Sequence, residues 1–205
     1  MNTERFDKAA SEWDSKSRRV LLAGKISNAI LKLPLTKEMD ALEYGCGTGL
    51  VGIAISQVIK KLTAIDNSRG MLEVLEKKIS TEDLKNIRTL CCDLLTENYT
   101  EKHHLIFCSM TLHHIKDAKG LLQRFADILL PGGYIAIADL VTEDGTFHDT
   151  DAEGIHHDGF TPEELAAVLS CCGLEDISHR IVHTITKGGI NKKYPIFLLT
   201  ARKPS

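Results

Sequence analysis

The sequence predicts an α/β fold: a seven-stranded, mostly parallel sheet with helices on both faces and an antiparallel last strand. Three observations predict it. Strand-like and helix-like segments alternate along the chain with short turns between them. A glycine-rich run, Gly45-Cys46-Gly47-Thr48-Gly49, leads from an apolar strand straight into a helix-like stretch. Two alternating apolar segments close the chain, parted by a Gly- and Lys-bearing loop.

The elements follow in order. Val20, Leu21, Ile26, Ala29, Ile30 and Leu33 recur at helical spacing, and Pro34 ends that helix. The first strand is expected over about Ala41 to Tyr44, with a helix from Leu50 to Ile59. A second strand ends at Asp66, and Met71, Leu72, Leu75 and Ile79 mark one face of the next helix. Strands three and four fall at Ile87 to Cys91 and His104 to Ser109, followed by a helix over Leu121 to Leu130. Pro131-Gly132-Gly133 stops that helix, and Tyr134 to Asp139 is strand five. A polar segment, Thr142 to Gly159, comes next. Thr161-Pro162-Glu163-Glu164 reads as a capping box with proline at the first helical position, and Gly173 closes that helix. Ile177 to Thr186 and Tyr194 to Ala201 read as a terminal antiparallel hairpin.

With 205 residues, the chain suits one domain with a substantial core, or one domain plus a small appendage. An apolar share of 43% and a charged share of 26% are ordinary for a globular protein. A net charge of -3 gives no footprint for nucleic acid, and no apolar run is long enough for a bilayer. The polar start Met1-Asn2-Thr3-Glu4-Arg5 lacks the features of a signal peptide, so a cytoplasmic location is expected. None of the six cysteines stands in C-x-x-C spacing, which favours reduced thiols over a zinc site or disulfide framework.

Glycine is needed where a strand turns sharply into a helix, because without a Cβ the backbone takes positive φ and a ligand approaches closely. Gly47-Thr48-Gly49-Leu50-Val51-Gly52 fits the dinucleotide pattern G-x-G-x-x-G, which alone does not identify the ligand. Asp66 could hold a ribose diol in more than one cofactor class. Glu43, placed just before the turn, suits a ligand with a free ammonium group better than a bare phosphate. A solvated strand end is the plain alternative for Glu43, and helix core for Met71.

Further along, Cys92-Asp93-Leu94, Phe107-Cys108-Ser109-Met110-Thr111-Leu112-His113-His114-Ile115 and Leu130-Pro131-Gly132-Gly133-Tyr134 stand in order. Together with the run Leu42 to Leu50, they resemble the motifs of the class I S-adenosylmethionine-dependent methyltransferases, of the small-molecule, ubiquinone/menaquinone type. The resemblance covers most of the chain and implies a Rossmann-like sheet, with S-adenosylmethionine as cofactor and a small-molecule methyl acceptor as partner. It implies Glu43 near the methionine ammonium, and Gly45, Cys46 and Gly47 against the aminoacyl end. Asp66 would take the ribose hydroxyls, with Asn67 and Met71 beside the adenine. Asp93 and Leu94 would read the adenine edge, and Ser109 would close the pocket near the sulfonium. Residues 1–35 would form a helical arm or lid over the domain at 36–205, with Trp13 stacking on ligand or pinning the arm.

Acceptor identity stays open to oxygen, sulfur, carbon or nitrogen nucleophiles. An Asn-Pro-Pro-Tyr-type segment is missing after strand four, which argues against a DNA adenine or glutamine target. A nicotinamide-dependent oxidoreductase is the first alternative, although no Tyr-x-x-x-Lys dyad is present; a non-catalytic S-adenosylmethionine-binding regulatory module is the second. His113 and His114 follow strand four, while His148, His156 and His157 follow strand five, interleaved with Asp149, Asp151 and Asp158. Both regions lie beyond the carboxyl ends of strands, where open α/β sheets bind ligands. His113, His156 and His157 are the candidate catalytic bases. Divalent-metal ligation and a merely solvated loop are the other readings, and no metal is assigned.

Overall fold

The computed structural model describes residues 3–148, 154–187 and 192–205. Seven strands form one sheet in the order β3-β2-β1-β4-β5-β7-β6. They are β1 (Asp40–Tyr44), β2 (Lys61–Asp66), β3 (Ile87–Cys91), β4 (His103–Ser109), β5 (Leu129–Leu140), β6 (Glu175–Lys187) and β7 (Lys192–Arg202). The first five run parallel; β7 is antiparallel to both β5 and β6. The helices are α1 (Glu4–Ala9), α2 (Ser17–Ile30), α3 (Gly52–Ser56), α4 (Arg69–Thr81), α5 (Ala118–Ile128) and α6 (Pro162–Cys171).

Strand alternation divides the core between two faces. Leu42, Tyr44, Ile106, Cys108, Ile135 and Ile137 pack under α5 and α6, with Leu121, Phe125, Leu165 and Leu169. Ala41, Ala64, Leu105, Phe107, Ala136 and Ala138 point the other way and meet Ile26, Ile30, Ile55, Leu72 and Leu75 of α2 to α4. A period-two side-chain pattern buried on both sides is what helices on both faces require. Helix α2 is thus a wall of the core, and only residues 3–16 of the N-terminal arm lie outside it. No helix among the described residues is long and apolar enough to cross a membrane.

Three local expectations change. The helix after the glycine run is confined to Gly52–Ser56, flanked by turns. Pro131-Gly132-Gly133 falls inside β5, where Gly132 has φ +73 and its amide donates to the Lys203 carbonyl at 3.0 Å. Thr161 does precede α6 with Pro162 at its start, but its side chain makes no cap. The Thr161 hydroxyl lies 3.4 Å from that of Thr142 instead, so it ties the loop after β5 to the helix.

His103, at the start of β4, is 2% exposed, with Nε2 2.7 Å from the Tyr99 hydroxyl. Burial pushes its imidazole down to about 4. Unfolded, the ring takes a proton near 6.5, so the neutral buried ring stabilises the fold fully above that pH and loses its contribution as pH falls towards 4. We expect thermal unfolding scans to show stability falling over this window, with His103 supplying on the order of 2–3 kcal/mol. His103→Phe should flatten the slope; an unchanged slope would remove His103 as its source.

Candidate active site

A cavity of about 320 Å³ opens at the carboxyl ends of β1, β2 and β4. Strand β1 pairs with β2 on one side and β4 on the other, so the chain direction divides there and leaves a crevice between the following loops. Glu43, Gly45, Cys46, Gly47, Asp66, Asn67, Met71, Ser109 and His113 all line it.

One end is built by the glycine turn. Gly45 and Gly47 have φ +70 and +52, the left-handed region that only glycine enters freely. A Cβ on Gly45 would run into Thr111, whereas one on Gly47 would find only the Met71 Sδ, at 4.0 Å, and so point into the cavity. Asp66 pins this turn: its Oδ2 accepts from the Gly47 amide at 2.7 Å and its Oδ1 from Ser68 at 2.8 Å. Burial outweighs these bonds and raises its carboxyl above the usual range. Glu43 is 2% exposed, and its Oε2 has no hydrogen-bond partner. Burial, then the nearby Asp66, pushes the Glu43 carboxyl well above its ordinary value. A buried acceptor left unpaired is costly, and a bound cation beside it would remove that cost. The Cys46 thiol is likewise pushed up, by burial first, and stays protonated.

The other end is built by histidine. His113 Nδ1 lies 2.6 Å from Asp139 Oδ1 at the end of β5, with both side chains buried. Burial works to raise the Asp139 carboxyl, but His113 and the Leu140 amide outweigh it and hold the group below its ordinary value. Asp139 is therefore an anion that orients the His113 ring through Nδ1, while His113 Nε2 has no hydrogen-bond partner among the described residues. The His113 and His148 rings are 5.0 Å apart, and Phe6 sets its ring edge-on to His114 at 5.1 Å. Burial lowers His114 to about 3 and His148 to about 4, so both are neutral at pH 7. Met110, between the two ends, holds φ +54, a strained conformation for a non-glycine residue.

Residues 3–16 lie over the glycine turn. Asp7 Oδ1 accepts from the Ser68 hydroxyl at 2.6 Å and the Gly70 amide at 2.9 Å. Asp14 takes the Thr48 hydroxyl at 2.6 Å and pairs with Lys78 at 2.5 Å. Trp13 lines the arm's inner side, with the Arg19 guanidinium 3.5 Å over its ring.

Four expected site residues lie away from the lining. Asp93 Oδ1 accepts from the Leu95 amide at 3.0 Å and the Tyr44 hydroxyl at 3.3 Å, and Leu94 is core. His156 is exposed, and His157 Nε2 is 2.9 Å from the Ile115 carbonyl. The amides of both histidines donate to the His113 carbonyl, at 3.0 and 3.2 Å, so they touch the cavity through the backbone that carries His113. Asp149 and Asp151 lie outside the described residues. Among those described, no group of three or more His, Cys, Asp and Glu is placed to hold a metal ion. Asp139 was the residue to find from sequence: a lone acid ending the apolar run Tyr134 to Ala138.

Comparison with known proteins bears on the family and the fold. A family description, "Methyltransferase domain", matches residues 41–133, the stretch from β1 to the Gly132-Gly133 turn. An uncharacterized methyltransferase of Schizosaccharomyces pombe is 31% identical over 154 residues, covering 67% of this chain and 54% of its own length. The chain thus spans about half of that relative. An aklanonic acid methyltransferase of a Streptomyces species is 29% identical over 149 residues, covering 71% of this chain and 67% of that one. Among solved structures, a SAM-dependent methyltransferase from Aquifex aeolicus superposes with a TM-score of 0.71 at 20% identity, covering 96% of this chain and 97% of the other; this likeness concerns the fold.

Proposed function

We infer, from a chain that belongs to the class I S-adenosylmethionine-dependent methyltransferases, that it transfers a methyl group from S-adenosylmethionine to a small-molecule nucleophile. The observation that carries this is the polarity of one cavity: the unpartnered Oε2 of buried Glu43 and the Gly47 turn at one end, the unpartnered Nε2 of His113 at the other. S-adenosylmethionine, when bound, supplies an electrophilic methyl on its sulfonium. Glu43 would face the ammonium of the donor, Gly45, Cys46 and Gly47 its aminoacyl end, and Asp66 the ribose hydroxyls. Asn67 and Met71 would flank the adenine, and Ser109 would close the pocket near the sulfonium. Residues 3–16 would cover the donor and exclude water, with Asp7 and Asp14 holding the cover down. His113 Nε2 would take the proton of a weakly acidic acceptor, with Asp139 fixing the ring and stabilising the imidazolium that forms. Most of the remaining work is alignment of the nucleophile.

Calorimetry on the purified chain is the test. S-adenosylhomocysteine should bind and NAD should not. Asp66→Asn should weaken binding by about 1–3 kcal/mol, because the amide is a poorer acceptor for ribose hydroxyls. Binding of NAD in preference to S-adenosylhomocysteine would return the oxidoreductase reading.

A further inference from the structure

The arm over the glycine turn also reaches the other end of the cavity. Phe6, in α1, lines the cavity and sets its ring edge-on to His114, whose ring centre is 4.1 Å from that of His113. The next residue, Asp7, is held at the start of α4, where its carboxylate takes the Ser68 hydroxyl and the Gly70 amide. Two adjacent residues thus touch the two ends of one cavity.

Ser68 makes the Asp7 contact bear on the donor end. It is 1% exposed, its amide donates to Asp66 Oδ1, and its hydroxyl accepts from the Met71 amide at 3.2 Å while donating to Asp7. Its single hydroxyl proton is committed to the arm, and its backbone to the carboxylate assigned to the ribose. The Ser68 hydroxyl, then the Gly70 amide, holds the Asp7 carboxyl below its ordinary value, so an anion caps the N-terminus of a 13-residue helix. After burial, the Asp7 charge in turn raises Asp66. Hydroxyl groups donating to Asp66 spread its charge and lessen that repulsion, which favours the docked arm. The seat is tight as well. A Cβ on Gly70 would lie 2.9 Å from Asp7 Cα and 3.0 Å from the Asp7 carbonyl oxygen, both backbone atoms. Asp14 pins the far end of the arm to Thr48 and Lys78, also beside the glycine turn. Where the arm sits, Phe6 follows.

We propose that Phe6 and Asp7 make the acceptor end depend on the donor. Asp7 is a positioning residue that ties the arm, through Ser68, to an occupied Asp66, and Phe6 then closes the acceptor end against His114. This rests on the methyl-transfer reading and adds an order of assembly to it. With the donor seated, the acceptor meets a finished pocket; without it, His114 is uncovered and the His113 ring is open to water. Donor and acceptor therefore bind with positive coupling, each tightening the other.

The test uses the full chain with S-adenosylhomocysteine as the probe, so no acceptor is required. Trp13, the one tryptophan of the sequence, rides on the same arm 5.9 Å from the Phe6 ring and reports its position. In the wild type, saturation should lower acrylamide quenching of Trp13 by about twofold or more and shift the ring proton signals of His114. Asp7→Ala and Gly70→Ala, one on each side of the contact, should abolish both responses while S-adenosylhomocysteine still binds, and Asp7→Glu should recover part of them. Phe6→Leu should keep the Trp13 response and lose the His114 shift. A Trp13 or His114 signal indifferent to S-adenosylhomocysteine in the wild type would overturn the proposal, as would a His114 shift that survives in both Asp7→Ala and Gly70→Ala. Failure of S-adenosylhomocysteine to bind the wild type would instead remove the methyl-transfer reading on which it rests.

Discussion

Gly47→Val is expected to abolish S-adenosylhomocysteine binding in a chain that still folds. At φ +52 a β-branched residue is strained by about 1–2 kcal/mol, and the turn is the part of the cavity closest to Asp66. Its side chain would not strike protein, since only Met71 Sδ lies within 4.0 Å of the Cβ position. It would fill ligand space instead. Loss of at least about a hundredfold in affinity follows if the valine both occupies that space and displaces the Gly47 amide from Asp66. Gly24→Ala in α2 is the control, because nothing lies within 4 Å of a Cβ there. Calorimetry with a melting curve for each variant separates lost binding from lost fold. Wild-type affinity in the valine variant would put the donor elsewhere.

His113→Ala and Asp139→Asn are expected to lower turnover by about 10²–10⁴ while leaving S-adenosylhomocysteine affinity within about twofold. Among the described residues, His113 is the one histidine lining the cavity whose Nδ1 is paired with a buried carboxylate. Asparagine keeps the size of Asp139 but can present an N–H to Nδ1, which favours the tautomer with Nε2 protonated and unable to accept. Nitrogen-15 spectra of the His113 ring read this directly: Nε2 unprotonated in wild type, protonated in Asp139→Asn. Turnover of a methyl acceptor found by screening small oxygen, sulfur, carbon and nitrogen nucleophiles supplies the rate. Full turnover by both variants would show that the acceptor loses its proton without His113.

Much of this arrangement was legible in the chain, for reasons that differ by residue. The glycine turn, Glu43 and Asp66 were visible because they are local: one strand, one turn and the next strand bring them together. Parallel order and the terminal hairpin followed from alternation and turn chemistry. Asp93 stands just after β3, and its Oδ1 accepts from the Leu95 amide and the Tyr44 hydroxyl, contacts that sequence spacing does not reveal. His156 and His157 lie in the expected polar segment, yet backbone pairing to His113 turns their side chains away from the cavity. The pairing of His113 with Asp139 joins residues 26 apart, one in the turn after β4 and one near the end of β5, and the register of β4 with β5 brings these two ends together.

The two ends of the cavity differ in how far the chain must return upon itself. Glu43 to Met71 is one continuous stretch, so the donor end closes through short loops. The acceptor end gathers Phe6, His113, His114, Asp139 and His148 from distant parts of the chain, and each return costs loop-closure entropy. Local openings that leave the first end intact can scatter the second. Loading and chemistry thus rest on unequal footings: a slightly loosened molecule would still carry its donor and yet fall silent.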